Sequence, residues 1–295
     1  MEQKKRWGDR RDGRWLRELD SLHQFMPYLY PNRADNEAFI SERIDLTNLN
    51  KYLERKNAEN PEYAYKTFQV LAAALVKTVT LRPKMNRFIQ GRRIYQRNKL
   101  TLSFVVKKEF SDKGGEALAF VEFDENTTID TVHNKIFEII DTYRGKEDKV
   151  DNSTAGMDML CKLPRPILSF VMWILHTLDF YGRVPNFLVK EDPNYASVFI
   201  TNLGSIGLKS GYHHLSNWGT SSIFVIIGEK KMSPFYDEKG NVEMRETLDL
   251  GLTLDERIAD GYYYSKTVKL LKYLLQNPEL LEQPAKEEVD YEQRH

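Results

Sequence analysis

The chain has 295 residues, and 41% of them are hydrophobic, which is enough to bury one sizeable core. Its 43 basic residues balance 43 acidic ones, so the overall charge does not favour binding to nucleic acid or to an anionic membrane. The single cysteine, Cys161, excludes an internal disulfide and a cysteine-based zinc site, and it is typical of a reducing compartment.

A basic and aromatic arm is predicted at the amino terminus, over residues 1–30. Within residues 1–15, six Lys and Arg side chains stand against three acids, and Trp7 and Trp15 lie among them. We expect both tryptophans to pack on the body of the protein or on a neighbouring subunit, not to contact nucleic acid. The arm lacks the apolar segment of a secretory signal, and the most apolar window, 167–181, is shorter than the roughly 20 residues that span a bilayer. We therefore predict a cytoplasmic protein with no membrane span.

Hydrophobic periodicity predicts one α+β domain over residues 31–282, with helices interspersed among strands that are mostly joined by hairpins. The first half is predicted to contain a strand turning into a helix over 37–49, a helix over 60–83, a hairpin over 87–109, a strand over 115–124 and a helix over 128–146. The second half is predicted to contain a polar loop over 145–158, an apolar helix over 166–181, a buried strand and Gly-rich turn over 195–208, paired strands over 221–231 and 243–261, and a helix over 262–281. Because the end of the chain is charged, residues 283–295 are predicted to be a disordered tail.

Three motifs follow one another in the domain. The first is a helix that leads into a Pro-x-x-Asn turn (Pro83, Asn86) and a hairpin, the second is ITNLGSIG over 200–207, and the third is DERIADG over 255–261, before a helix that ends in LLQNPELL. Together they resemble the chloramphenicol acetyltransferase-like superfamily, most of all the catalytic domain of the 2-oxoacid dehydrogenase dihydrolipoyl acyltransferases. The resemblance covers roughly residues 35–290. It implies a two-layer fold in which helices flank a large mixed sheet, assembled as a homotrimer with active sites in channels between subunits.

The resemblance also implies an activity. A stand-alone acyltransferase of this kind, without a lipoyl domain or a flexible linker, would move an acyl group between an acyl-coenzyme A or acyl-carrier thioester and a thiol, hydroxyl or amine acceptor. Coenzyme A would then be part of a substrate, and neither a tightly bound cofactor nor a metal is expected. The alternative is a non-catalytic relative of these enzymes that binds thioesters or acts as a scaffold.

The resemblance assigns roles to particular residues. Thr201 would stabilise the tetrahedral oxyanion through its hydroxyl, and Arg257 and Asp260 would brace the motif loop. Glu256 stands where the family has its catalytic histidine, so it is the predicted base. The predicted substrate-binding residues are Asn202, Gly204, Ser205, Gly261 and Tyr262.

The exchange of histidine for Glu256 is the main departure from the family pattern. An unperturbed Glu titrates near ~4.3 and a His near ~6.5, so at a Brønsted slope of ~0.5 the weaker base costs on the order of tenfold. Geometry is the stronger objection, because a carboxylate on a flexible chain is harder to position than an imidazole. Glu256 could instead be structural, paired with Arg257 or with another basic residue.

Two histidines that follow the second motif are the other candidate bases. His213 and His214 are adjacent, so on a strand they would point to opposite faces and at most one would reach the channel. Surface or trimer contacts are the simpler interpretation of both. For the apolar helix over 166–181 we expect core or trimer packing, with a lipophilic substrate pocket walled by Phe170, Trp173 and Phe180 as the alternative, and His176 as a core residue.

Overall fold

The computed structural model of the chain describes residues 6–107, 116–144, 158–189 and 192–292. Its helices are α1 (Ser21–Leu29), α2 (Thr47–Ala58), α3 (Thr67–Leu81), α4 (Ile129–Arg144), α5 (Arg165–Phe180), α6 (Asn186–Val189) and α7 (Gly261–Gln276). Its strands are β1 (Gly13–Trp15), β2 (Glu37–Asp45), β3 (Arg87–Gln90), β4 (Arg93–Arg97), β5 (Leu100–Lys107), β6 (Glu116–Phe123), β7 (Val198–Asn202), β8 (Ile223–Tyr236) and β9 (Val242–Asp255). All of the predicted loop over 145–158 except its last residue lies outside the described residues.

Two sheets organise the chain. The larger has the strand order β2-β9-β8-β7-β5-β6, and the smaller has the order β1-β4-β3. In the larger sheet β7 runs parallel to both β5 and β8, whereas the remaining pairs are antiparallel. The predicted α+β fold with a large mixed sheet is therefore confirmed.

The helices cover one face of the large sheet and bury its alternate side chains. This alternation follows from the two-residue period of a strand, and it gives the sheet one helix-covered face and one open face. Helices α2, α3, α4 and α7 pack on the covered face. The core side chains that the sheet contributes there include Ile44, Leu102, Phe104, Val121, Val198, Ile200, Val225, Ile227, Leu248, Leu250 and Leu252.

The central helix α3 begins later than the predicted range of 60–83. Asn60 adopts the left-handed conformation, with φ at 50°, and Pro61 follows it, so the chain turns there instead of continuing as a helix. The Asn57 side chain then bonds to the backbone of Tyr65 on both its N–H and C=O sides. Helix α3 therefore starts at Thr67 and is buried almost throughout.

The chain lies across the open face of the large sheet between residues 208 and 219. Leu215 packs there on Phe224 and Ile226 as a small second core. Gly251 makes this approach possible, because a Cβ at that position would collide with the carbonyl oxygen of Gly211. The segment is therefore seated directly on the backbone of the sheet.

The amino-terminal arm is built into the fold through the small sheet. Strand β1 pairs with β4 of the predicted hairpin, and the guanidinium carbons of Arg17 and Arg93 lie 4.4 and 4.0 Å from the centre of the Trp15 ring. The carbonyl oxygen of Trp7 accepts a hydrogen bond from Arg17, but 83% of the Trp7 surface is exposed. The ring of Trp15 is thus packed against the body, whereas the ring of Trp7 is largely open.

The prediction of a disordered tail is wrong for residues 283–292. The backbone N–H groups of Ala285 and Lys286 donate to the carbonyl oxygens of Thr127 and Glu125, and Ala285 is buried in the main core. The buried Lys77 ammonium donates to the carbonyl oxygens of Leu280 and Pro284 at 3.1 and 3.0 Å. These contacts dock the end of the chain, and residues 293–295 lie outside the described part.

Helix α5 lies outside the core of the chain, so the expected core packing is wrong, whereas packing in a trimer stays a prediction. Among its residues only Asp179 is buried, and Phe170 and Trp173 stack on each other at the surface, exposed by 60% and 64%. His176 is also exposed, in edge contact with Trp218, so it is not a core histidine. Within the described ranges, no helix is both long and apolar enough to cross a bilayer.

We predict that Gly251→Ala destabilises the protein by about 3 kcal/mol, because the added methyl group overpacks the contact with Gly211. Urea unfolding followed by circular dichroism measures the change. The matched control is Gly211→Ala on the other side of the same contact, where a Cβ meets nothing within 4 Å. Equal stability of the two variants would contradict the direct seating of this segment on the sheet.

Candidate active site

The motif loop after β9 is held by a buried ion pair. The Arg257 guanidinium donates to both carboxylate oxygens of Asp255 at 2.8 and 2.7 Å, and its third nitrogen donates to the carbonyl oxygen of Tyr30 at 2.6 Å. Arg33 adds a second cation 3.7 Å from the same carboxylate. The Tyr264 hydroxyl donates to the carbonyl oxygen of Asp255 at 2.8 Å, and burial raises the pKa of Tyr264, so it remains a donor. The loop conformation is therefore set by side chains that flank Glu256.

Asp255 was missed as a site residue, although it stands at the head of the motif. The sequence signal was the spacing, because Arg257 follows Asp255 by two residues in one tight loop. At this spacing the arginine makes a bidentate contact with the carboxylate. The predicted bracing by Arg257 is present, but its partner within the loop is Asp255 and not Asp260.

Asp260 has a different structural part, as the N-cap of α7. Its carboxylate accepts the backbone N–H of Tyr263 at 2.9 Å, and this bond holds the pKa of Asp260 below its usual value. Lys84 lies 3.7 Å from the same carboxylate. Gly261 has no positive φ, and a Cβ there would meet nothing within 4 Å, so the backbone alone does not require glycine at this helix start.

Glu256 is exposed at the tip of the loop. Its backbone N–H donates to the carbonyl oxygen of Asn36 at 2.9 Å, which fixes its Cα. Its side chain forms no ion pair and no hydrogen bond with any residue that the structure describes, since Arg257 is taken by Asp255. The structural alternative, in which Glu256 pairs with Arg257, is therefore wrong, and the carboxylate is free to meet another molecule.

The second motif forms a tight turn at the end of β7. The Asn202 side chain accepts the backbone N–H of Ser205 at 3.2 Å, and the Ser205 hydroxyl donates to the Asn202 carbonyl oxygen at 2.7 Å. Gly204 packs against the backbone of Gly228, where a Cβ would collide with the carbonyl oxygen. Because Ile200 faces the core, the neighbouring Thr201 points to the open face of the sheet.

Thr201 and Glu256 of one chain lie far apart. Thr201 is level with Ile226 on β8, which is level with Gly251 on β9. Glu256 follows five residues further along, so the two Cα atoms are on the order of 20 Å apart at ordinary strand spacings. This distance exceeds by far the ~3 Å over which a base and a hydroxyl donor serve one reacting group. A single chain therefore holds two separate halves of the predicted site.

The two histidines lie together over the open face, which corrects the expectation that they point to opposite faces. Residues 211–216 are not a strand, and the rings of His213 and His214 stack with their centres 4.5 Å apart. The His213 ring also stacks on Phe224 at 4.3 Å, which places it on the order of 10 Å from Thr201 across the sheet. His213 Nδ1 lies 2.7 Å from the His214 carbonyl oxygen, which only accepts, so Nδ1 carries the proton and Nε2 is left as the basic nitrogen.

A cavity of about 780 Å³ opens beside the turn of the second motif. Three of the predicted substrate-binding residues line it, namely Asn202, Gly204 and Ser205, and its other walls come from α2, the start of α3, β8 and β9. Gly261 and Tyr262 lie elsewhere, and Tyr262 is 73% exposed with the Lys266 ammonium 5.0 Å from its ring centre. The structure thus brings together one part of the predicted binding set and leaves the other with the motif loop.

Comparison with known proteins bears on both halves of the site. Residues 186–282 match the family model of the 2-oxoacid dehydrogenases acyltransferase (catalytic domain), and this segment includes Thr201, the histidine pair and Glu256. No curated protein matches the chain by sequence.

Solved acyltransferase structures share the fold. A probable dihydrolipoamide acetyltransferase of Listeria monocytogenes superposes with a TM-score of 0.58 and 13% identity, over 90% of this chain and 95% of that one. The dihydrolipoamide acetyltransferase of Azotobacter vinelandii superposes with a TM-score of 0.58 and 16% identity, over 90% of this chain and 93% of that one. A chloramphenicol acetyltransferase superposes with a TM-score of 0.55 and 12% identity, over 89% of this chain and 99% of that one. The predicted resemblance to the chloramphenicol acetyltransferase-like superfamily is therefore confirmed.

We predict that Asp255→Asn destabilises the protein by about 3–5 kcal/mol, because the buried Arg257 and Arg33 lose their counter-charge. Denaturant unfolding measures the loss. The adjacent Glu256→Gln is the matched control and is expected to stay within about 0.5 kcal/mol of the parent, since its exposed side chain has no partner in the described chain. A large loss of stability in the control would show that Glu256 is structural after all.

Proposed function

We propose that this chain, which has the chloramphenicol acetyltransferase-like fold, is an acyltransferase that uses a coenzyme A or carrier thioester and acts as a homotrimer. The proposed acceptor is a thiol, hydroxyl or amine. The observation that carries the proposal is the division of the site, because Thr201 at the end of β7 and Glu256 in the motif loop are both held in ordered structure but at separate places in one chain. Two such half-sites form a working centre only when a second subunit brings them together.

Exposed apolar side chains support the assembly. Monomeric proteins rarely expose contiguous apolar surface of large extent, so such residues indicate a covered interface. Helix α1 exposes Leu22, Phe25 and Leu29, and helix α5 exposes Ile167, Phe170, Trp173 and Ile174. A closed ring of three copies would bury surfaces of this kind while joining the Thr201 turn of one subunit to the motif loop of the next.

The chemistry assigns one task to each half. The Glu256 carboxylate of one subunit takes the proton from the attacking thiol or hydroxyl, which then adds to the thioester carbonyl carbon. The Thr201 hydroxyl of the neighbouring subunit donates to the oxyanion that forms on the carbonyl oxygen. Collapse of the tetrahedral intermediate expels the first thiolate, and the protonated Glu256 returns the proton to it. We assign one of the two substrates to the cavity lined by Asn202, Gly204 and Ser205, since these residues directly follow Thr201 in the chain.

The division of the site predicts complementation between two inactive variants. Glu256→Gln is expected to lower kcat by about 10²–10⁴-fold and Thr201→Val by about 10²–10³-fold. When both variants are co-expressed and assemble at random, about a quarter of the interfaces contain the intact Thr201 and the intact Glu256, so about a quarter of the parent activity returns. Acyl transfer from acetyl-coenzyme A to a panel of thiols and amines, with light scattering for the assembly, measures this.

Other outcomes separate the alternatives. If Glu256→Gln remains active and His213→Gln does not, the base is His213 of the chain that supplies Thr201, and no complementation follows. If the parent is inactive and Glu256→His acquires activity, the chain is a non-catalytic relative with its scaffold intact. A monomer in light scattering contradicts the divided site.

A further inference from the structure

A second, larger cavity lies on another part of the molecule. Its volume is about 1000 Å³, and its walls come from the amino-terminal arm, the β3–β4 turn and the stretch after α5, residues 180–185. Neither Thr201 nor Glu256 lines it. A cavity of this size suits a small-molecule ligand.

The walls of this cavity are strongly basic in a chain whose net charge is zero. Arg11, Arg92, Arg93 and Arg183 line it, and none of the four forms an ion pair with a carboxylate of the described residues. Its acidic lining residue, Asp9, is engaged by the backbone N–H groups of Arg6 and Trp15 at 2.8 and 3.0 Å. Four guanidinium groups without an ion-pair partner in the described chain thus face one lining carboxylate, and an anion would neutralise the excess of positive charge.

Arg92 occupies a backbone position that does not suit arginine. The two-residue turn between β3 and β4 places Gly91 at φ 57° and Arg92 at φ 59°, and turns of this kind favour Gly or Asn because a Cβ is sterically unfavourable there. The guanidinium carbon of Arg92 lies 5.7 Å from the Tyr28 ring, at the cavity wall. The unfavourable backbone conformation thus coincides with a guanidinium group that faces the cavity.

Exposed aromatic rings line the same cavity. Trp7 is 83% exposed and Tyr181 is 67% exposed, whereas Tyr28 already contacts Arg92 and Phe25. Planar rings and guanidinium groups in one cavity match a ligand that combines a nucleobase with phosphate. One guanidinium group can donate to two oxygens of a phosphate, and nucleobases stack on aromatic side chains.

We propose that this cavity binds a nucleoside phosphate, with the phosphates on Arg92 and Arg183 and the base stacked on Trp7 or a neighbouring tyrosine. Two kinds of molecule carry this chemical group, namely a free nucleotide and a larger coenzyme that ends in a nucleotide. The proposed binding site is independent of the proposed acyl transfer, because ADP carries no acyl group and its binding is measured without a reaction.

Calorimetric titration of the full chain with ADP, pyrophosphate and adenosine tests the site. ADP is expected to bind tighter than either fragment. The double substitution Arg92→Asn with Arg183→Gln is expected to weaken ADP and pyrophosphate by about tenfold or more, and asparagine is chosen because it tolerates the left-handed turn. Trp7→Ala is expected to weaken ADP but leave pyrophosphate unchanged. Arg55→Gln, an exposed arginine on α2, is the matched control and leaves all three unchanged.

Unaltered ADP affinity in the double variant, adenosine that binds as tightly as ADP, or no ADP binding in the parent would each overturn the proposal. Competition identifies the source of the ligand. Coenzyme A that displaces ADP, and that itself binds more weakly to the double variant, makes the nucleotide end of the coenzyme the occupant. Coenzyme A that leaves ADP bound makes it a free nucleotide. The complementation of Thr201 and Glu256 is measured separately, so either proposal can fail alone.

Discussion

The Asp255 carboxylate is the point at which the separate parts of the structure meet. Arg257 and Arg33 both contact it, and Arg33 also donates to the backbone carbonyl oxygens of Ile89, Ser216 and Gly219. One buried anion thereby ties the end of β9 to the small sheet and to the segment that crosses the open face. A buried ion pair is weak evidence for stability in itself, because desolvation offsets its attraction. The ion pair matters here because it fixes positions. Asp255 orients Arg257 and Arg33, and these contacts hold the motif loop that carries Glu256.

This arrangement separates the conformation of the motif loop from the identity of the side chain at position 256. The loop conformation depends on Asp255, Arg257 and the cap formed by Asp260, whereas the Glu256 side chain forms no hydrogen bond or ion pair with any residue that the structure describes. The ion pair and the helix cap do not involve this side chain, so they do not require a glutamate at position 256. The exposed carboxylate stays accessible to another molecule.

The sequence was sufficient for the fold and for the turns of the site, because both are encoded locally. The two-residue period of β7, β8 and β9 and the motifs around Asn202 and Asp260 specify their structure over a few residues. The docked tail could not be predicted from its charged composition, because its contacts depend on the buried Lys77 and on Thr127, far away in the chain. The stacked histidines were misjudged because a strand was assumed where the chain instead crosses the sheet. The arginine-lined cavity is formed by three segments that are far apart in the sequence, so no local sequence pattern predicts it.

The order of the strands also bears on how the chain folds as it leaves the ribosome. Strand β2, at one edge of the large sheet, is hydrogen-bonded to β9, with Glu37 paired to Asp255 and Asp45 paired to Thr247. This pairing joins residues separated by most of the chain, and long-range pairing of this kind is slow. During synthesis β2 therefore cannot form this pairing until β9 has emerged. Its charged residues Glu37, Glu42 and Arg43 then serve a second purpose, because charges along an open edge oppose its pairing with the wrong chain.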